Sequence, residues 1–311
     1  MTDLITPILA ASLPLSMPIL FASVGEVYAE RAGILNLGIE GIMGLSAFVS
    51  LWVTYSTGSY LYGLLAAIVA AGLMGLLYSY ASVRIGTNQL ITGLLIYTLS
   101  LGIADFSYRR LTSVSFPLIQ PLPPISIPGL SDLPVVGPVL FHQNVMVYAS
   151  LAVAIVMGAV LYRTTWGLKI RAVGENPEAS DAAGINVNMV RQLCVLFGAM
   201  MAGVGGASLT LGYLGLYNSG GLLVAGRGWI ALVVVIFSRW SPYRAVAGSW
   251  VFGLGYSIAA TSIGSGLVAG AAQGTEYFLL MIPYVFALAF VFVFHRGTKP
   301  PSSLTVPYKR K

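Results

Sequence analysis

Arg163-Thr-Thr-Trp-Gly-Leu-Lys169-Ile-Arg171-Ala-Val-Gly174-Glu175-Asn176-Pro177-Glu178-Ala179-Ser-Asp-Ala182-Ala183-Gly184-Ile-Asn-Val-Asn-Met-Val-Arg191 is the one long charged stretch set between apolar blocks. Its first half carries Arg163, Lys169 and Arg171. Its second half predicts a short helix marked at both ends. Asn176 suits the N-cap, Pro177 the first helical position, and Glu178 the positive end of the helix dipole. Gly184 is placed to end the helix in the left-handed conformation. About two turns lie between those marks, roughly 10 Å at 1.5 Å per residue. Ala179, Ala182 and Ala183 fall on one side. A helix of that length is marginal alone in water, where about 12–15 residues are needed. A flat alanine face suits close docking into another surface; a capped helix in an ordinary loop is the other reading of the same spacing.

The blocks flanking this stretch decide the fold class. The 311 residues are 57% hydrophobic and 8% charged, with mean hydropathy +0.85, whereas soluble domains are about 25% charged. The blocks reach the ~20 helical residues that span about 30 Å of hydrocarbon. The expectation is an all-α polytopic transmembrane helical bundle, a single transmembrane unit over 1–311. The 36 glycines suit close helix contact in a membrane. A net charge of +6 raises nucleic acid as a partner, but the basic residues sit singly at the ends of apolar segments, as anchors to a lipid bilayer do. Cys194, the single cysteine, permits no intrachain disulfide. Asp3, with no Lys or Arg before Arg31, is the wrong charge for a cleavable leader, so the first apolar segment is expected in the mature protein.

Gly174-Glu175-Asn176-Pro177-Glu178-Ala179 followed by Ala182-Ala183-Gly184 resembles the cytoplasmic coupling loop of ABC-importer permeases, closest to the branched-chain amino acid, ribose and nucleoside group. The resemblance covers nearly the whole chain. It implies that the loop inserts into a cleft of a separate ATPase subunit. It also implies a second permease, identical or a sister chain, and an extracytoplasmic solute-binding protein. ATP would be used by the partner, with no cofactor in this chain.

Nine spans are read: 4–24, 34–54, 60–82, 88–107, 143–162, 190–212, 221–238, 244–264 and 275–295. With the 163–191 loop inside, all of the 16 basic residues except Arg109, Arg110 and Arg227 fall on that side. The N-terminus is then outside and the C-terminus cytoplasmic, in a bacterial cytoplasmic membrane. The external segment 108–142 contains Pro117, Pro121, Pro123, Pro124, Pro128, Pro134 and Pro138 and is expected to be stiff and extended. A short repeat pairs Gly33-Ile-Leu-Asn36-Leu-Gly38 with Gly215-Leu-Tyr-Asn218-Ser-Gly220 at a constant offset of 182. Five spans separate the copies, which gives them opposite topology and points to broken helices near a pathway.

The stretch Gly25 to Gly41 holds Glu26, Glu30, Arg31 and Glu40 between two spans. A charge at bilayer depth costs about 3 kcal/mol or more, so each acid needs a partner, a proton or water. Arg31 is the nearby base, and a pairing that locks the turn is the structural reading. Glu26, the Glu30-Arg31-Ala32-Gly33 run and Asn36-Leu37-Gly38-Ile39-Glu40-Gly41 also resemble the nucleoside-type members of the same family. Ribose permeases carry a related Gly-Ile-Asp motif without that run, which tilts the substrate toward nucleosides, with ribose or another simple sugar as the alternative. Pathway candidates are Asn36, Glu40, Asn88, Gln89, Thr92, Tyr213, Tyr217, Asn218 and Gln273, polar or amphipathic residues near span ends that equally serve as helix glue.

No lysine follows a glycine, so the Walker A pattern is missing. His142 and His295 are far apart and Cys194 lies in an apolar block, which leaves no metal-ligand cluster or nucleophile–base pair in sequence. The competing class is a self-sufficient proton-coupled carrier using Glu26, Glu40, Asp105 or Glu276.

Overall fold

The computed structural model describes residues 2–112, 118–219, 221, 223–265, 275–294 and 299–308. The helices are α1 (Thr2–Arg31), α2 (Ile39–Thr57), α3 (Tyr60–Ser79), α4 (Gln89–Thr112), α5 (Val145–Arg163), α6 (Thr165–Glu175), α7 (Pro177–Ala182), α8 (Val187–Leu209), α9 (Arg227–Phe237), α10 (Pro242–Gly264), α11 (Thr275–Leu280) and α12 (Ile282–Phe294). Wider π turns prolong α3 over Tyr80–Ile85 and α8 over Thr210–Leu214. Two short strands, β1 (Pro124–Ser126) and β2 (His142–Asn144), pair antiparallel with Ile125 opposite Gln143.

Among the described residues seven helices are long and apolar enough to cross a bilayer alone. The expected spans 221–238 and 275–295 take another form. The 11 residues of α9 rise only about 16 Å, half a bilayer. They follow an irregular stretch in which Gly221, Ala225 and Gly226 have positive φ. The last apolar segment is divided at Met281, ahead of Pro283, which has no amide hydrogen for the preceding turn.

The core is built from α1, α2 and α8. About 67–72% of their apolar windows is buried, against 28% for α3 and α4, so those two present most of their surface outward. Glycines set the closest approaches: a side chain at Gly25 would strike the Gly198 backbone, and one at Gly206 would strike the Met43 carbonyl. Without a hydrophobic force between helices in lipid, such contacts supply the packing.

The long-range bonds sort the connections onto two faces. On one, Arg31 donates to the carbonyls of Arg239 and Trp240, and the Ser303 amide donates to Gly174. Arg84, Asp181 and Tyr308 line one cavity there. On the other, Tyr60 donates to the Gln120 carbonyl and Gln143 to that of Ala10. The proline-rich segment is less uniformly extended than its composition predicts: α4 runs on to Thr112, and a π turn occupies Gly137–Phe141 with Pro138 near its start. The Ile119 and Leu122 amides donate to the Gly215 and Leu211 carbonyls, which lays this segment over the end of α8.

Candidate functional site

The first break lies between α1 and α2. Gly33 has φ +93°, and the chain turns back into the bundle, so that the Asn36 amide donates to Glu26 Oε1 at 2.7 Å. Glu26 is five residues above the end of α1, roughly 8 Å deep along the helix. The Asn36 side chain accepts from the Gly38 amide at 2.9 Å, closing a local turn of the kind Asn favours. Leu35 is held from the other side: its amide donates to Gln89 Oε1 at 2.9 Å and its carbonyl accepts from the Tyr78 hydroxyl. Glu30 accepts from Trp240 Nε1 at 2.6 Å. The expected pairing of Arg31 with a neighbouring acid does not form, because Glu26 and Glu30 face into the bundle while Arg31 reaches carbonyls at its rim.

The second break runs from Gly215 to the start of α9. Glu40, 4% exposed, clamps it. Its two carboxylate oxygens accept from the Gly226 and Gly228 amides at 2.8 and 2.6 Å. These are orphan donors at the positive end of α9, where an anion is favoured. A side chain at Gly228 would strike the Glu40 backbone, so no other residue allows that approach. Arg227 is not at the outer rim, where its place in the sequence puts it. It is buried in the bundle, its guanidinium 4.2 Å from the Tyr256 ring centre, with Nη1 donating to the Leu223 and Val224 carbonyls. The Tyr256 and Tyr284 hydroxyls both donate to the Ala225 carbonyl. The two breaks therefore meet: an acid in the first turn of α2 accepts the free amides at the start of α9.

The charged loop contains two helices. Thr164 caps α6 by accepting from the Gly167 amide. Asn176 then caps α7, accepting from the Ala179 amide at 2.9 Å. The far end of α7 closes with the Ile185 amide on the Ser180 carbonyl and the Gly184 amide on that of Asp181, with Gly184 at φ +82°, a left-handed glycine terminus. Glu178, Ala179, Ala182 and Ala183 are exposed, while Ser180 turns inward.

A family model described as branched-chain amino acid transport system / permease component matches residues 8–292. The chain belongs to this permease family. It is 32% identical to the nucleoside ABC transporter permease protein NupC of Lactococcus lactis, over 97% of this chain and 96% of that one. It is 30% identical to the guanosine ABC transporter permease protein NupQ of Bacillus subtilis, over 98% and 97%. It is 35% identical to the putative glucose ABC transporter permease protein TsgC13 of Haloferax volcanii, over 79% and 75%. No solved structure matches.

Within this permease the candidate pathway residues form separate groups. Asn36 and Gln89 are joined through Leu35, with Asn88 and Thr92 bonded to each other one turn along. Asn88 accepts from the Leu90 and Ile91 amides as the N-terminal cap of α4. Glu40 belongs to the α9 clamp. Tyr217 is buried against Phe48 and Tyr108 and donates to Asp105 at 3.3 Å, with Tyr213 half-buried and Asn218 exposed nearby in the chain. Gln273 and Gly220 lie outside the described residues, as do Arg296 and Lys309 to Lys311. Sequence reasoning missed Tyr78, Trp240 and Gly228, whose partners lie too far along the chain for spacing to reveal, and Arg191, which it read as a rim anchor. Arg191 is instead buried, donating to the carbonyls of Ala32 and Val306 and to Ser303 Oγ.

Proposed function

We propose that this permease is the membrane-spanning subunit of a bacterial ABC importer for nucleosides. The observation that carries the reading is the end-to-end correspondence with two nucleoside permeases. In this reading the chain is one transmembrane unit with its N-terminus outside and its C-terminus in the cytoplasm. It works with a second permease, identical or a sister chain, and an extracytoplasmic solute-binding protein. A separate ATPase hydrolyses ATP and grips Gly174 to Gly184 through the exposed alanines of α7. The residues proposed for the substrate route are Asn36, Glu40, Asn88, Gln89, Thr92, Tyr213, Tyr217, Asn218 and Gln273. The similarity to a putative glucose permease favours a simple sugar as the second reading.

Uptake of radiolabelled guanosine and of glucose by the complete transporter separates the two substrates. Ala182→Arg or Ala183→Glu tests the drive. Both positions lie outside the spans, so insertion should persist. A buried contact spoiled by a charge typically loses about 2–4 kcal/mol, so ATPase association falls about a hundredfold and uptake stops. Full uptake with the ATPase still bound in both variants would eliminate the coupling role.

A further inference from the structure

The segment that follows the last helix contains no sequence feature that marks it as functional, yet it is bonded to three parts of the permease at once. Ser303 donates from its amide and its hydroxyl to the Gly174 carbonyl, at 2.9 and 2.8 Å. Ser302 donates through its hydroxyl to Glu175 Oε2 at 2.9 Å. These hold the last turn of α6, and only Asn176 separates α6 from α7. The Thr305 amide donates to the Gly33 carbonyl at 3.1 Å, which is the first break itself.

Arg191 ties the arrangement together. It is 1% exposed. Its Nε donates to the Ala32 carbonyl, Nη1 to that of Val306, and Nη2 to Ser303 Oγ, each at 3.0 Å. The planar guanidinium presents its donors in a fixed fork, so one side chain fixes the end of α1 and the tail in a single geometry. Its hydrogen-bond partners among the described residues are neutral, so no ion pair among them explains its burial. Two glycines show how little slack there is. A side chain at Gly174 would strike the Arg31 carbonyl, and one at Gly33 would strike Ser303 and Arg191. Leu304 and Tyr308 pack on the apolar cluster of Val27, Ala32, Val173 and Val190. The stem of α7, the tail and the α1–α2 break are joined through Gly174, Ser303, Arg191 and Ala32.

We infer that Arg191 and the tail residues Ser302 to Val306 are a transmission clasp, which converts displacement of α7 into movement of the break at Gly33 to Asn36. This rests on the reading of α7 as the ATPase contact. The break is the piece that can respond: the Gly33 and Ile34 amides still close α1 on the Glu30 and Ala29 carbonyls, but at Leu35 and Asn36 the backbone has left the helix and is held by single bonds to Glu26, Gln89 and Tyr78. Coupling of this sort requires contiguous contacts and an element with two arrangements. Arg191 is a positioning residue, since it reaches no surface that a transported solute could touch.

The test uses the complete transporter in proteoliposomes, with radiolabelled guanosine or glucose, whichever the wild-type complex accumulates. Arg191→Gln, and a chain ended after Lys299, are measured for ATPase association, ATP hydrolysis and uptake. Loss of a coupling term lowers uptake per ATP hydrolysed about five- to hundredfold, with association and hydrolysis retained. Arg191→Lys, which keeps a donor but not the fork, recovers part of the ratio. An unchanged ratio in Arg191→Gln and in the shortened chain overturns the inference. So does a proportional fall of association, hydrolysis and uptake, since that marks a folding element. Ala182→Arg in the same assay reports on the docking reading separately: if it alone is defective, the ATPase contact stands and the clasp falls, whereas retained association there removes the docking reading itself.

Discussion

At the scale of single residues, the membrane carboxylates divide by what their oxygens already do. Both oxygens of Glu40 are engaged by amides at the start of α9. Glu40→Ala strands those donors in a buried site, at about 1–3 kcal/mol for each unsatisfied group. Its thermal unfolding midpoint in detergent should fall sharply, and that of Glu40→Gln by less, since an amide oxygen still accepts from one of them. A wild-type midpoint for Glu40→Ala would show that the clamp is dispensable. Glu26 differs: Oε1 accepts from Asn36, and Oε2 has no hydrogen-bond partner among the described residues. Glu26→Gln keeps the acceptor that the break needs, so uptake should be unchanged. A proton-coupled carrier that uses Glu26 would lose transport in the same variant, and the uptake assay separates the two mechanisms.

At the scale of elements, α7 shows what sequence can carry. Its two ends are set by residues within a few positions of each other, so Asn176 and Gly184 could be read directly, and the structure places both in those roles. Removing an N-cap side chain costs about 1 kcal/mol, and a β-branched residue at a left-handed position costs at least as much. Asn176→Ala and Gly184→Val should therefore each speed amide hydrogen exchange of residues 178–183 about fivefold or more without altering exchange in α8; protection equal to wild type would mean that packing, not capping, holds the helix. The breaks were legible only in part. Gly33 and Asn36 announced a turn by their types, but the partners that give it shape, Glu26, Gln89 and Tyr78, come from three helices. The half-length of α9 was hidden because 221–238 is apolar apart from Arg227 and Ser238, and hydropathy measures solvent preference, not where the helix begins. The clasp left no trace, because backbone carbonyls carry no sequence signal and supply most of its bonds.

At the scale of the whole molecule, charge gives the sidedness that the fold leaves open. Arg31, Arg84, Arg163, Lys169, Arg171, Arg239, Arg244 and Lys299 lie with the α6–α7 loop at one face, where Arg31 bonds the Arg239 turn and the tail bonds α6. Arg109 and Arg110 end α4 at the opposite face, and the burial of Arg227 inside the bundle removes one apparent exception to the bias. Basic residues are retained on the cytoplasmic side when they flank short loops, so the α6–α7 face is expected inside and β1–β2 outside. Single cysteines in a Cys194→Ala background test this. Ala183 and Asp132 are exposed and lie on the two opposite faces. Ser180, inside the same loop, is buried and would label poorly from either side. An impermeant maleimide added to intact cells should modify Asp132→Cys at once and Ala183→Cys only after the membrane is opened. The reverse order would invert the molecule and put α7 out of reach of any cytoplasmic ATPase. Modification of both from outside would remove the crossing assigned to α5, the one long apolar helix between the two positions.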